Sequence, residues 1–225
     1  MQKKHPFIPL IYKKANALNL FSPKNATFVP KRKHQMNPIT QTIILTASSL
    51  RMIPHIGHYI FHHKDFDDDL RKVQDHKATV LNFIKAMTRE KTFRNLFYYR
   101  LGEYLSVFIR WMCPGDQTLH IWCPSIGKGA HFEHNYSTYL NAESIGENFY
   151  CLQLVTIGTG HGHHGDTGRP TIGDNVKIMT GATVFGPIHI GNNVTIGANA
   201  VVFTDVPDGA TVVGNPGRII ERTEI

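Results

Sequence analysis

Residues 171–203 read TIGDNVKIMTGATVFGPIHIGNNVTIGANAVVF, and an aliphatic side chain returns at every sixth position: Ile172, Ile178, Val184, Ile190, Ile196 and Val202. Four places after each stands a small or β-branched residue: Val176, Ala182, Ile188, Val194, Ala200 and Val206. Gly173, Gly191 and Gly197 directly follow three of the leading aliphatics. Helices repeat at about 3.6 residues and half-buried strands at about two, so a period of six fits neither. It predicts a parallel β-helix of hexapeptide repeats, each one short strand and one turn. Three repeats close a triangular coil, and the leading aliphatic points into the shared interior.

Toward the N-terminus the same phase persists less regularly through Ile126-Gly127, Phe132, Thr138, Ile145-Gly146, Cys151 and Ile157-Gly158. The coil is therefore assigned to residues 119–225, with a C-terminal tail. It is interrupted at GTGHGHHGDTGRP, residues 158–170, and resumes at Ile172. An insertion of that composition, residues 159–170, has no apolar face to bury, so it is expected to project and to mark the working face.

Residues 42–118 read as helical. Asp67, Asp68 and Asp69 suit a first helical turn, and Leu70, Val73, Lys77, Val80, Leu81 and Ile84 follow at helix spacing. The aromatic run from Phe93 through Gly102 to Trp111 continues that pattern until Pro114-Gly115. Its rings are expected to pack helices and subunits together and the whole region to cap one end of the coil, whose strand edges are otherwise unpaired.

The 225-residue chain carries a formal charge of +7, and the surplus is local. Eight of its 24 Lys and Arg lie in residues 1–35, where there is no acid; the remainder holds sixteen basic residues against seventeen acidic ones. Residues 1–40 thus read as a basic, flexible extension, and no nucleic-acid surface is implied for the rest. Met36 offers an alternative start. The odd set of cysteines, Cys113, Cys123 and Cys151, lacks metal spacing and fits a reduced cytoplasmic compartment. No secretory signal is expected, because Pro6 and Pro9 break the early apolar run. The most apolar stretch, residues 42–61, is interrupted by Arg51, Pro54, His55 and His58, which leaves peripheral membrane contact as the most it supports.

From His120 to Arg218 the order of features resembles the serine acetyltransferase branch of the hexapeptide acyltransferases. The matching stretches are Phe132-Glu-His-Asn135, Ile145-Gly-Glu-Asn148, Leu154-Val-Thr-Ile-Gly-Thr159, Arg169-Pro-Thr-Ile-Gly-Asp174 and Asp205-Val-Pro-Asp-Gly209, closed by Val213-Gly-Asn-Pro-Gly-Arg218. The resemblance implies a left-handed parallel β-helix, a homotrimer that in some members pairs into a hexamer, and acetyl transfer from acetyl-CoA to a hydroxyl.

That transfer needs the acceptor's proton removed as its oxygen attacks, a task suited to a neutral imidazole. By resemblance His134 is the base and Glu133 the acid beside it. The family's orienting aspartate aligns with His120, which is no carboxylate, so the ring must be oriented by Glu133 or a backbone carbonyl. Arg169 stands where the family has a histidine, and its planar fork suits the carboxylate of an amino acid or a uronic sugar. His120 and Arg169 are accordingly the substrate-binding candidates, with serine or a sugar hydroxyl as acceptor. Amides at Gly158 and Thr159 are the oxyanion donors expected. Gly181, Ala182, Gly197 and Ala198 would leave room for pantetheine, and Arg218 would meet a coenzyme phosphate. His161, His163 and His164 lack partners at metal-binding spacing, so acetyl-CoA is the only cosubstrate expected and no metal is. The rival reading is a non-catalytic scaffold docking a partner through the terminal Ile225.

Overall fold

A computed structural model describes residues 37–73, 77–134, 136–161 and 166–220. Residues 1–36, with most of the basic extension and Met36, lie outside them, as do Asn135, His163, His164 and Ile225. The chain divides into a unit of residues 1–40 and a second of residues 41–225. Of the first, only residues 37–40 are described, at the start of helix α1 (Pro38–Arg51).

The helical part of the second unit continues with α2 (Ile53–His62), a 3-10 turn (His63–Asp65), α3 (Asp67–Val73), α4 (Val80–Arg89), α5 (Lys91–Leu101) and α6 (Glu103–Arg110). Two expected helices are in fact broken. The pattern from Leu70 to Ile84 splits between α3 and α4, where Thr79 caps the new helix by accepting the Asn82 amide at 3.2 Å. The aromatic run splits at Gly102, whose φ of +84° ends α5. Phe83, Phe93, Phe97 and Tyr98 are buried, and the Tyr59 and Phe83 rings stack at 4.4 Å.

The coil consists of three parallel faces. One stacks β1 (Leu119–Ile121), β3 (Thr138–Leu140), β6 (Thr156–Gly158), β11 (Thr183–Phe185) and β14 (Val201–Val202). The second stacks β2 (His131–Phe132), β5 (Tyr150–Cys151), β10 (Lys177–Ile178), β13 (Thr195–Ile196) and β15 (Thr211–Val213), and β16 (Arg218–Ile220) turns back antiparallel at its end. The third stacks β4 (Ser144–Ile145), β9 (Thr171–Ile172) and β12 (His189–Ile190). Register partners Thr183 and Val201 lie 18 residues apart, one coil of three hexapeptides.

All six leading aliphatics and all six residues four places after them are buried in one continuous core. The corners follow a rule the periodicity does not reveal. The third residue after the leading one adopts a left-handed conformation at Asn148, Leu154, Asn175, Asn193 and Asn199, with φ between 55° and 62°. Asparagine tolerates this better than most side chains. The Ile-Gly pairs have a separate cause. A Cβ on Gly173 would meet the Asn192 Oδ1 at 2.7 Å, because that oxygen accepts the Asp174 amide at 2.8 Å from the next coil.

The helices are tied to the first coil by polar clasps. Within the helical part, buried Arg94 donates to the carbonyls of Met87 and Thr88 and to that of Pro114 on the connection to the coil. Asn95 Nδ2 donates to the Asp116 carbonyl at 2.8 Å. Arg100 pairs with Asp69 and donates to the carbonyls of Ile126 (3.0 Å) and Gly127 (2.7 Å), while Asp69 accepts the Ala130 amide at 3.0 Å. Among the described residues no helix is long and apolar enough to cross a membrane.

Candidate active site

The corner after β2 departs from the regular coil. The expected rung at Thr138 is displaced: Leu140 faces the interior beside Ile157, and Thr138 takes the buried place of the small residue before it. Eight residues instead of six therefore separate Phe132 from the next leading side chain. The additional chain is accommodated by two left-handed non-glycine residues, His134 (φ 56°) and Ser137 (φ 49°). The Tyr136 amide donates to the His134 carbonyl at 2.7 Å, and the Leu154 amide ties the Tyr136 carbonyl to the next coil at 2.9 Å. Such a conformation costs about 1–3 kcal/mol and persists where surrounding bonds impose it, often at working sites.

The His134 side chain is 60% exposed at this corner. Its Nε2 lies 3.5 Å from Oε1 of Glu133, the neighbouring outward side chain. The other carboxylate oxygen, Oε2, accepts the Tyr150 hydroxyl at 2.5 Å. Burial, then the bond to Glu133, pushes the Tyr150 hydroxyl up to about 12, so it stays protonated and stays a donor. Below Tyr150, its register partner His131 has its ring 5.8 Å away, and burial lowers that imidazole below the usual range, keeping it neutral. Thr92 of α5 donates to the Phe132 carbonyl at 3.3 Å, which braces the corner from the helical side.

The geometry thus brings together His134, Glu133 and Tyr150, and Tyr150 was missed in the sequence. Its place follows from the register, which sets Cys151 above Phe132 and Tyr150 above His131, 19 residues apart where a regular coil takes 18. The other candidates are elsewhere engaged. His120 stacks on Tyr139 at 4.6 Å, with Trp122 at 5.4 Å, beside a cleft of about 1060 Å³ between α6 and β1. Arg169 donates to Glu143 Oε2 at 2.5 Å and reaches Asn141 at 3.5 Å.

Gly158 ends β6 at the root of the inserted loop, and there is open space where its Cβ would stand. Thr159 follows it. The loop begins and ends as a hairpin, β7 (Gly160–His161) against β8 (Thr167–Gly168), in which His161 Nδ1 and Thr167 Oγ1 lie 2.9 Å apart. Of the coenzyme candidates, Ala182 is corrected outright. Its side chain is wholly buried in the prism core and its carbonyl accepts the Thr156 amide, so it offers no surface to pantetheine. Gly181 is small because Asn199 Oδ1 occupies its Cβ direction, and Gly197 because the Val212 carbonyl and Val213 do. Ala198 and Arg218 are exposed. Among the described residues no cluster of three His, Cys, Asp or Glu gathers to hold a metal.

Residues 169–204 match the family model described as bacterial transferase hexapeptide (six repeats). The serine acetyltransferase of Synechococcus elongatus is 42% identical over 102 residues, which cover 44% of this chain and 41% of that protein. The chain thus spans less than half the length of that curated relative. A soybean serine acetyltransferase complexed with serine superposes with a TM-score of 0.53 at 30% identity, covering 68% of this chain and 67% of that one. A serine acetyltransferase in complex with CoA does so with a TM-score of 0.55 at 26% identity, covering 72% of each. With the repeat, the stacked faces and these likenesses together, the chain belongs to the hexapeptide-repeat acyltransferases and is serine acetyltransferase-like in its left-handed coil.

Proposed function

We propose that this protein transfers an acetyl group from acetyl-CoA to the hydroxyl of L-serine, with His134 as general base. The observation that carries the proposal is the presentation of His134 on a braced left-handed corner with Glu133 beside it, in a coil so similar to serine acetyltransferases. In one step the serine oxygen bonds to the thioester carbonyl while its proton passes to the imidazole. The tetrahedral oxyanion then collapses, the C–S bond breaks, and the imidazolium returns the proton to the departing thiolate. The Glu133 carboxylate favours the transient imidazolium. Gly158 and Thr159 are assigned to the oxyanion, and Gly197, Ala198 and Arg218 to the coenzyme side of the groove. The working unit is a homotrimer, in which neighbouring coils form the walls of that groove. A cytoplasmic setting agrees with the three free cysteines.

A sugar hydroxyl is the second reading for the acceptor. It is favoured by the His120–Tyr139–Trp122 aromatic platform beside a polar-edged cleft, and by Arg169 standing where the family has histidine. Thiol release from acetyl-CoA, measured with L-serine and with a panel of hexoses and uronic acids, decides between the two. His134→Ala should lower turnover by roughly 10²–10⁴. Turnover by that variant within a few-fold of the parent would remove His134 from the mechanism, and absence of thiol release with every acceptor would favour a non-catalytic scaffold.

A further inference from the structure

We propose that Tyr150 is a positioning residue: its hydroxyl fixes Glu133 so that this carboxylate orients the His134 ring. The inference rests on the acyl-transfer reading of His134 and answers a question that reading leaves open, since the family's orienting aspartate aligns with His120, a ring engaged by Tyr139 and Trp122.

Glu133 alone makes a poor clamp. Its side chain is 46% exposed, and an exposed carboxylate 3.5 Å from an exposed imidazole gains little in water while its own torsions remain free. Tyr150 changes this. Its backbone amide donates to the Val176 carbonyl at 2.9 Å, and the adjoining Cys151 is fully buried, so its Cα is anchored in the stack. Its ring extends over His131 from the neighbouring rung, and its hydroxyl holds Glu133 Oε2 at 2.5 Å. A carboxylate tied by one oxygen to a rigid donor can present only the other, and Oε1 is the one facing His134. The ring nitrogen facing Glu133 then carries the proton, and the opposite nitrogen keeps the lone pair that receives the acceptor's proton.

Tyr150→Phe removes the hydroxyl and keeps the ring. It should lower kcat about tenfold with KM for acetyl-CoA and the unfolding midpoint unchanged. Glu133→Gln should also lower kcat, and the double variant should be no slower than Glu133→Gln alone, because the two residues act in series. Nitrogen NMR of the His134 imidazole supplies a readout free of turnover: one tautomer in the parent protein and a mixture in Tyr150→Phe. Multiplying losses in the double variant, unchanged kcat in Tyr150→Phe, or mixed tautomers already in the parent would each overturn the proposal. Full turnover in His134→Ala would instead refute the acyl-transfer reading on which it stands.

Discussion

The clasp between Asp69 and Arg100 makes a sharp quantitative test of how the helices are seated on the coil. Both side chains are nearly inaccessible, at 2% and 11% exposure. Burial raises the Asp69 carboxyl above its ordinary range even though Arg100 and the amides of Gly129 and Ala130 act to lower it, so desolvation outweighs the attraction. Such a pair adds little net stability, yet losing one partner leaves a charge buried without its counter-ion. Asp69→Ala should therefore cost about 3–5 kcal/mol, since it strands the Arg100 guanidinium against the Ile126 and Gly127 carbonyls and orphans the Ala130 amide. Arg100→Met should cost a similar amount. The double variant should fall well short of their sum, with a coupling of at least about 2 kcal/mol. Urea unfolding followed by circular dichroism at one fixed protein concentration measures all four corners of the cycle. Additive losses, or a single-variant cost under about 1 kcal/mol, would show that the clasp is not what fixes the helices in place.

Ile178→Ala opens a cavity in the fully buried axis of the prism and should cost about 2–5 kcal/mol by the same measurement. At the corner residue Asn175, φ +56°, replacement by Gly should leave stability within about 0.5 kcal/mol, whereas Val should cost more than about 1 kcal/mol. His55 is buried, its Nε2 2.9 Å from the Tyr98 hydroxyl, and burial, then Arg51 and Arg94, lowers its pKa to about 4. The unfolded chain protonates this ring below about 6.5 while the folded one does not. Stability from this group is thus complete above about pH 6.5 and is lost toward pH 4, by at most about 1.4 kcal/mol per pH unit. His55→Gln should flatten that slope in unfolding midpoints measured across the window.

The coil was legible because one interior side chain per strand is an unavoidable demand of a three-sided prism, and Ile172 through Val202 satisfy it without exception. The left-handed corners were not, since asparagine at Asn148 or Asn175 looks like any polar turn residue until backbone angles are known. The same blindness placed Thr138 on a rung: two residues absorbed by His134 and Ser137 shift the phase, and apolar spacing cannot report a shift that happens in solvent. Helix breaks at Gly102 and before Val80 were masked by an apolar pattern that continues across them. At the candidate site, the closeness of His134 and Glu133 followed from their being neighbours in a short motif. Tyr150 required knowing which rung lies above which, and the engagement of Arg169 by Glu143 required knowing that residues 26 apart are neighbours.

Across the inserted loop, Thr156 pairs with Thr183, 27 residues on, and the stack continues without a shift of phase. The Glu143 amide finds the Pro170 carbonyl at 2.9 Å on the far side as if nothing had intervened. Nine residues more than one coil are thus inserted without altering the register on either side. A stack of this kind takes an added loop at a corner because the strands before and after it still find their partners in the coils above and below.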